Sequence, residues 1–186
     1  MHDRKMDFEL VINLLNSFLK NKDIRKRLHY IVDNRINDWE KWLQIEFEQF
    51  IAAKRFQVKR EVTAYLDPFL FPQNRLSKVD IILCQNKSLN DGFIFIEFKC
   101  TKSIAALKRG LEHDKLKIQS IIDCEYKIRN SFFVGFHLNC KPTEIDKMDT
   151  YVTEILKGSY AVFKICPCPA NHNCNCTNNE IGVVLC

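Results

Sequence analysis

The apolar positions of this chain change period as it is read from the start. Over residues 7–20, "DFELVINLLNSFLK", Phe8, Leu10, Val11, Leu14, Leu15 and Phe18 recur at helical spacing, and a second helix is predicted over 23–36. A third is predicted over 38–55, "DWEKWLQIEFEQFIAAKR", with Asp38 as its cap and Trp39, Trp42, Leu43, Phe47 and Phe50 on one face. From residue 56 the pattern becomes that of strands: "FQVKREVTAYL" (56–66), "KVDIILCQ" (78–85) and "FIFIEFKC" (93–100), separated by "DPFLFPQNR" and "NKSLNDG". Three consecutive strands joined in this way predict an antiparallel meander. Ser103 can cap a helix running to about residue 125, broken near Gly110, and "SFFVGFHLN" (131–139) predicts a buried strand. Thr143 opens a helix carrying Ile145, Met148, Val152, Ile155 and Leu156, which Gly158 stops. The segments 160–165 and 181–186 close the chain as strands.

A length of 186 residues at 46% apolar composition supports one core rather than two domains. Residues 1–37 form an N-terminal helical extension, 38–165 the core, and 166–186 a cysteine-rich loop and terminal strand of the same domain. No stretch approaches the roughly 20 apolar residues of a membrane span, and the start, "MHDRKMDFEL", mixes both charge signs where a signal peptide needs an apolar run. The expectation is a soluble, cytoplasmic protein with no membrane partner. A net charge of +5 permits a polyanionic partner but falls short of the strongly basic signature of a dedicated nucleic-acid binder.

The charges that matter sit inside apolar strands. In "GFIFIEFKCTKS" (92–103), Glu97 and Lys99 interrupt a run of Phe and Ile, and residues two apart share one face of a strand. Asp80 is embedded in the same way among Val79, Ile81, Ile82 and Leu83. Glu46 stands four residues after Trp42 and seven after Trp39, within the helix's apolar stripe, whereas Glu40 and Glu48 read as surface charges. Asp114, Lys115 and Lys117 read as a solvated helix face, and Trp39 and Trp42 as core. Carboxylates in such positions are costly unless they pair or bind a cation, and hard oxygen ligands suit Mg²⁺ or Mn²⁺.

Helix with Glu46, strand, strand with Asp80, then strand with Glu97-x-Lys99: this order resembles the PD-(D/E)XK nuclease superfamily, the restriction-endonuclease-like fold, over roughly residues 38–140. The chain departs from the signature in having Val79 where a proline is nominal, and Gln119 is followed at the fourth position by Asp123 rather than tyrosine. The resemblance implies an α/β fold with a mixed central sheet flanked by helices. It also implies metal ligation by Asp80, Glu97 and the Phe98 backbone carbonyl, with Glu46 completing the shell and Lys99 orienting or polarising water. The implied reaction is Mg²⁺- or Mn²⁺-dependent hydrolysis of phosphodiester bonds in DNA, with RNA left open, in the setting of restriction, phage defence or repair. Many related enzymes act as homodimers. The rival reading is a non-catalytic module that binds nucleic acid or protein, its acids forming a buried ion network.

Cysteine use adds a third reading. Of nine cysteines, Cys84, Cys100, Cys124 and Cys140 lie in apolar segments, where a thiol behaves as a small hydrophobe. The segment "CPCPANHNCNC" holds Cys166, Cys168, Cys174 and Cys176 with His172 between the pairs. Four thiolates can close a tetrahedral Zn²⁺ site, although Cys-x-Cys departs from the usual Cys-x-x-Cys spacing. The alternative is a loop of reduced thiols or occasional disulfides, and the function this segment would carry is metal-sensing or redox.

Overall fold

A computed structural model describes residues 4–85, 92–138, 141–166, 168 and 180–186. Helices α1 (Arg4–Lys20), α2 (Lys22–Asp33) and α3 (Trp39–Ala53) come first, followed by strands β1 (Phe56–Leu66), β2 (Leu76–Gln85) and β3 (Phe93–Thr101). Helix α4 (Ile104–Gln119) leads to β4 (Ile121–Cys124) and β5 (Ile128–His137). Helix α5 (Pro142–Thr150) runs on as a π-helical turn, Tyr151–Ile155, before β6 (Ser159–Lys164) and β7 (Glu180–Leu185).

The seven strands form one mixed open sheet in the order β4-β1-β2-β3-β5-β7-β6. β1, β2 and β3 make the expected antiparallel meander. β5 lies parallel to β3, and the connection between them carries α4 across one face of the sheet, as a parallel pair requires.

The helices bury two separate apolar faces. On one side, Val11, Leu14 and Phe18 of α1, Leu28 of α2, and Leu43, Phe47 and Ile51 of α3 pack with Ile81, Leu83, Ile94, Ile96 and Phe98. On the other, Leu107, Leu111 and Ile118 of α4 join Met148 and Val152 against Ile82, Cys84, Phe93 and Phe95. The N-terminal extension therefore belongs to the core. It is also pinned by Asp7, 3% exposed, which accepts from Arg129 at 2.9 Å through both oxygens and from Asn130 at 2.6 Å.

Three sequence expectations change. Asp38 precedes α3 with φ +57° and makes no side-chain cap, because its left-handed backbone does not present the carboxylate to the first-turn N–H groups. Helix α4 runs unbroken through Gly110 and ends at Gln119; the stretch read as its last turn becomes β4, paired with the edge of β1. Ser120, with its N–H on Leu116 and Lys117 carbonyls, makes that stop.

Among the described residues, no helix is long and apolar enough to cross a membrane.

Candidate functional site

The site begins with a reversal in the β1–β2 hairpin. Phe56 and Val58 pack toward the first core, yet Val62 and Ala64, of the same parity, lie in the second. In β2, Ile81 and Leu83 lie in the first core and Val79 in the second. The change falls at Glu61, whose φ of +57° is a left-handed conformation that a strand residue seldom adopts. Lys41 of α3, with Lys78 at 3.4 Å and Arg60 at 3.9 Å, surrounds its carboxylate.

Beyond this point β2 leaves β3. Their ladder ends at Ile81–Ile96; continued, its register would set Asp80 opposite Glu97 and then Val79 opposite Phe98. Instead, the Phe98 N–H donates to Asp80 Oδ2 at 2.8 Å, and the Cys100 N–H, next along the same edge, donates to Glu40 Oε2 at 2.8 Å. Two carboxylates thus replace a missing strand as acceptors. The N–H and C=O of one residue project to the same side of a strand, so the Phe98 carbonyl also faces this opened edge.

Glu97 and Lys99 lie on the α4 side of β3. Glu97 is 2% exposed; its Oε2 takes the Lys117 ammonium at 2.5 Å, while Oε1 is buried with no hydrogen-bond partner. Lys117 also donates to the Lys78 carbonyl at 3.1 Å. Lys99 reaches Glu40 at 3.6 Å, and its stem crosses Gly110 of α4, where a Cβ would stand 2.7 Å from its Cγ and Cδ. Asp114, buried on α4 one turn further on, adds another carboxylate to the same field.

The electrostatics follow from this crowding. Burial, then the Asp80 charge, pushes the Glu97 pKa well above its ordinary 4.5, against the pull of Lys117. Burial raises Glu40 and Asp114 as well; the Cys100 hydrogen bond and Lys99 oppose it at Glu40, and Lys99 and Lys117 oppose it at Asp114. Burial pulls the Lys99 pKa down, but Glu40, Asp114 and Asp80 together outweigh it and hold it above the ordinary lysine value.

Of the four residues singled out in the sequence, Asp80, Glu97 and Lys99 are brought together and Glu46 is not. Glu46 is paired with Arg27 of α2, and Glu40, read as a surface charge, occupies the helix position beside Lys99. Asp114 and Lys117, read as a solvated face, belong to the cluster.

Among the described residues, no three acidic, histidine or cysteine side chains are grouped to hold a metal ion. That arrangement does not fit a closed cage. It does fit an ion held by one or two carboxylates with water and phosphate oxygens making up the shell, the usual habit of Mg²⁺. Glu97 Oε1, buried and without a hydrogen-bond partner, is the acceptor that such an ion would meet. Of the zinc candidates, Cys166 is buried and Cys168 half-buried, while Cys174, Cys176 and His172 lie outside the described residues, as does Cys140.

A cleft of about 600 Å³ opens at this end of β3, lined by Glu40, Lys99, Thr101 and Lys102 and walled by Ile36–Trp39. In comparisons with known proteins, no family model, no curated protein and no solved structure matches this chain.

Proposed function

We propose that the chain is a metal-dependent nuclease of PD-(D/E)XK type, hydrolysing phosphodiester bonds of DNA. The observation that carries this reading is the convergence of Asp80, Glu97 and Lys99 where β2 parts from β3, with one buried carboxylate oxygen of Glu97 unpartnered. The path of the chain also supports it: a helix, an antiparallel three-strand meander, a helix, then a strand parallel to the third.

Asp80, Glu97 and the Phe98 carbonyl would hold Mg²⁺ or Mn²⁺. The ion, when bound, supplies Lewis-acid polarisation of a phosphoryl oxygen and a more acidic water. Lys99 stays protonated at neutral pH, so it acts as a cation that orients water and offsets charge on the phosphate, not as a base. Glu40 and the Gly110 cradle fix where that ammonium sits. Glu97 would offer its unpartnered Oε1 to the ion with Oε2 on Lys117, whose ammonium would add a second positive charge beside the site.

The second reading, a binding module in which the acids form a closed ion network, draws on the pairs Glu97–Lys117 and Lys99–Glu40. Incubation of the purified protein with plasmid and linear DNA, with and without Mg²⁺ or Mn²⁺, separates the two. Nuclease action predicts metal-dependent cleavage that Glu97→Ala and Lys99→Ala each cut by about 100-fold or more with the fold retained. Undiminished cleavage by both variants, or none by wild type with either metal, overturns it.

A further inference from the structure

We infer that the groove between α2 and α3 takes an unpaired nucleobase, so that the substrate is nucleic acid with a single-stranded segment beside the cut. This rests on the nuclease reading above. The groove, about 740 Å³, is lined by Lys26, Arg27, Tyr30, Ile36, Trp39 and Trp42. Tyr30, 62% exposed, and the half-buried Trp42 give the groove aromatic surface open to solvent, and Ile31, Ile36 and the buried Trp39 add apolar wall. Such a surface stacks bases without regard to sequence.

Position narrows the occupant. Residues Ile36, Asn37, Asp38 and Trp39 form a wall of this groove and of the cleft that holds Glu40 and Lys99, so the two spaces adjoin along one short segment. A strand with its phosphate at Lys99 has its neighbouring nucleotides beside this wall. Lys102 in the cleft and Lys26 at the groove offer ammonium groups along that path. Asp23 and Asp38 on the groove wall offer acceptors that suit the exocyclic amines of a base and not a phosphate. A paired base keeps both faces stacked within its duplex and cannot enter; an unpaired one can.

The test is fluorescence anisotropy of the full chain in EDTA, with a labelled 15-nucleotide single strand and a labelled blunt duplex of the same length. Wild type is expected to bind the single strand more tightly. Tyr30→Ala should weaken single-strand binding between about fivefold and a hundredfold. The same variant should change duplex binding less than twofold, and Tyr30→Phe should retain wild-type affinity. Circular dichroism checks the fold of each variant. Equal affinity of wild type for both probes, or a loss of single-strand binding by Tyr30→Ala smaller than about fivefold, overturns the inference. The binding arm contains no metal and the cleavage assay reads the carboxylates, so failure here leaves metal-dependent cutting of blunt duplex to stand or fall by itself.

Discussion

Lys117 places its ammonium 2.5 Å from Oε2 of Glu97, whereas Lys99, two residues from Glu97 in the sequence, serves Glu40 at 3.6 Å. The buried carboxylate is therefore neutralised from α4 and not from its own strand. Lys117 is only 13% exposed and Glu97 2%, so neither charge has much water. Removing one partner leaves the other uncompensated. Lys117→Met should cost about 3 kcal/mol at pH 7.5 in urea unfolding, and Lys117→Met combined with Glu97→Gln should recover most of that loss. A double variant as unstable as the single one would refute the pairing.

The pH dependence has a definite sign. Glu97, Glu40 and Asp114 all have folded-state pKa values above their ordinary ones, so folding takes up protons as these groups titrate. Their contribution is fully present below the ordinary carboxylate range, near pH 4, and is lost as pH rises through the folded values. Glu97 carries the largest rise. Glu97→Gln should therefore flatten the decline in unfolding free energy between pH 4.5 and pH 7.5 relative to wild type. Parallel curves for the two proteins would count against a raised Glu97.

Glu40 and Glu46 give the sharpest contrast in activity. Glu40 accepts from Cys100 and holds Lys99, so Glu40→Gln lets the ammonium drift, and displacement on the scale of an ångström costs on the order of 10²-fold in rate. Glu46 is tied to Arg27, away from the splayed strands. Cleavage assays with Mg²⁺ should show a loss of about tenfold or more for Glu40→Gln and a change within twofold for Glu46→Gln. The reverse ranking would return Glu46 to the site.

The exchange of Glu46 for Glu40 was visible in the sequence. With about 100° per residue and Trp39 at zero, Leu43, Phe47 and Ile51 fall at about 40°, 80° and 120°; Glu40 falls at about 100°, inside that arc, and Glu46 at about −20°, outside it. Trp42, at about −60° and partly buried, sits on the margin of the stripe, and counting it in shifts the axis toward Glu46. Asp114 had the same kind of signal: with Leu107, Leu111 and Ile118 it completes a continuous buried stripe on α4. The strands were easier: β1 alternates exposed and buried positions over its second half, while β2, β3 and β5 are continuous apolar runs buried on both faces. The reversal at Glu61 had no local signature, since neither glycine nor asparagine marks it. Likewise, Lys117 meets Glu97 only through the crossover, which no local pattern encodes.

Gly110 joins fold and site. In mid-helix, glycine costs roughly 1 kcal/mol relative to alanine, a gain for Gly110→Ala that displacement of Lys99 from Glu40 opposes. Yet a Cβ at this position stands 2.7 Å from both Cγ and Cδ of Lys99 and 3.1 Å from Cε. The contact falls along the stem rather than at its free end, so the whole side chain must leave its groove and the ammonium moves with it. Gly110→Ala should thus cut metal-dependent cleavage by about tenfold or more while the urea-unfolding free energy changes by no more than about 1 kcal/mol. If Lys99 is the route of the effect, Lys99→Ala with Gly110→Ala should be no slower than Lys99→Ala alone, a non-additivity that general damage to α4 would not produce. Additive losses in that cycle would mean that Gly110 acts on the site through something other than the lysine.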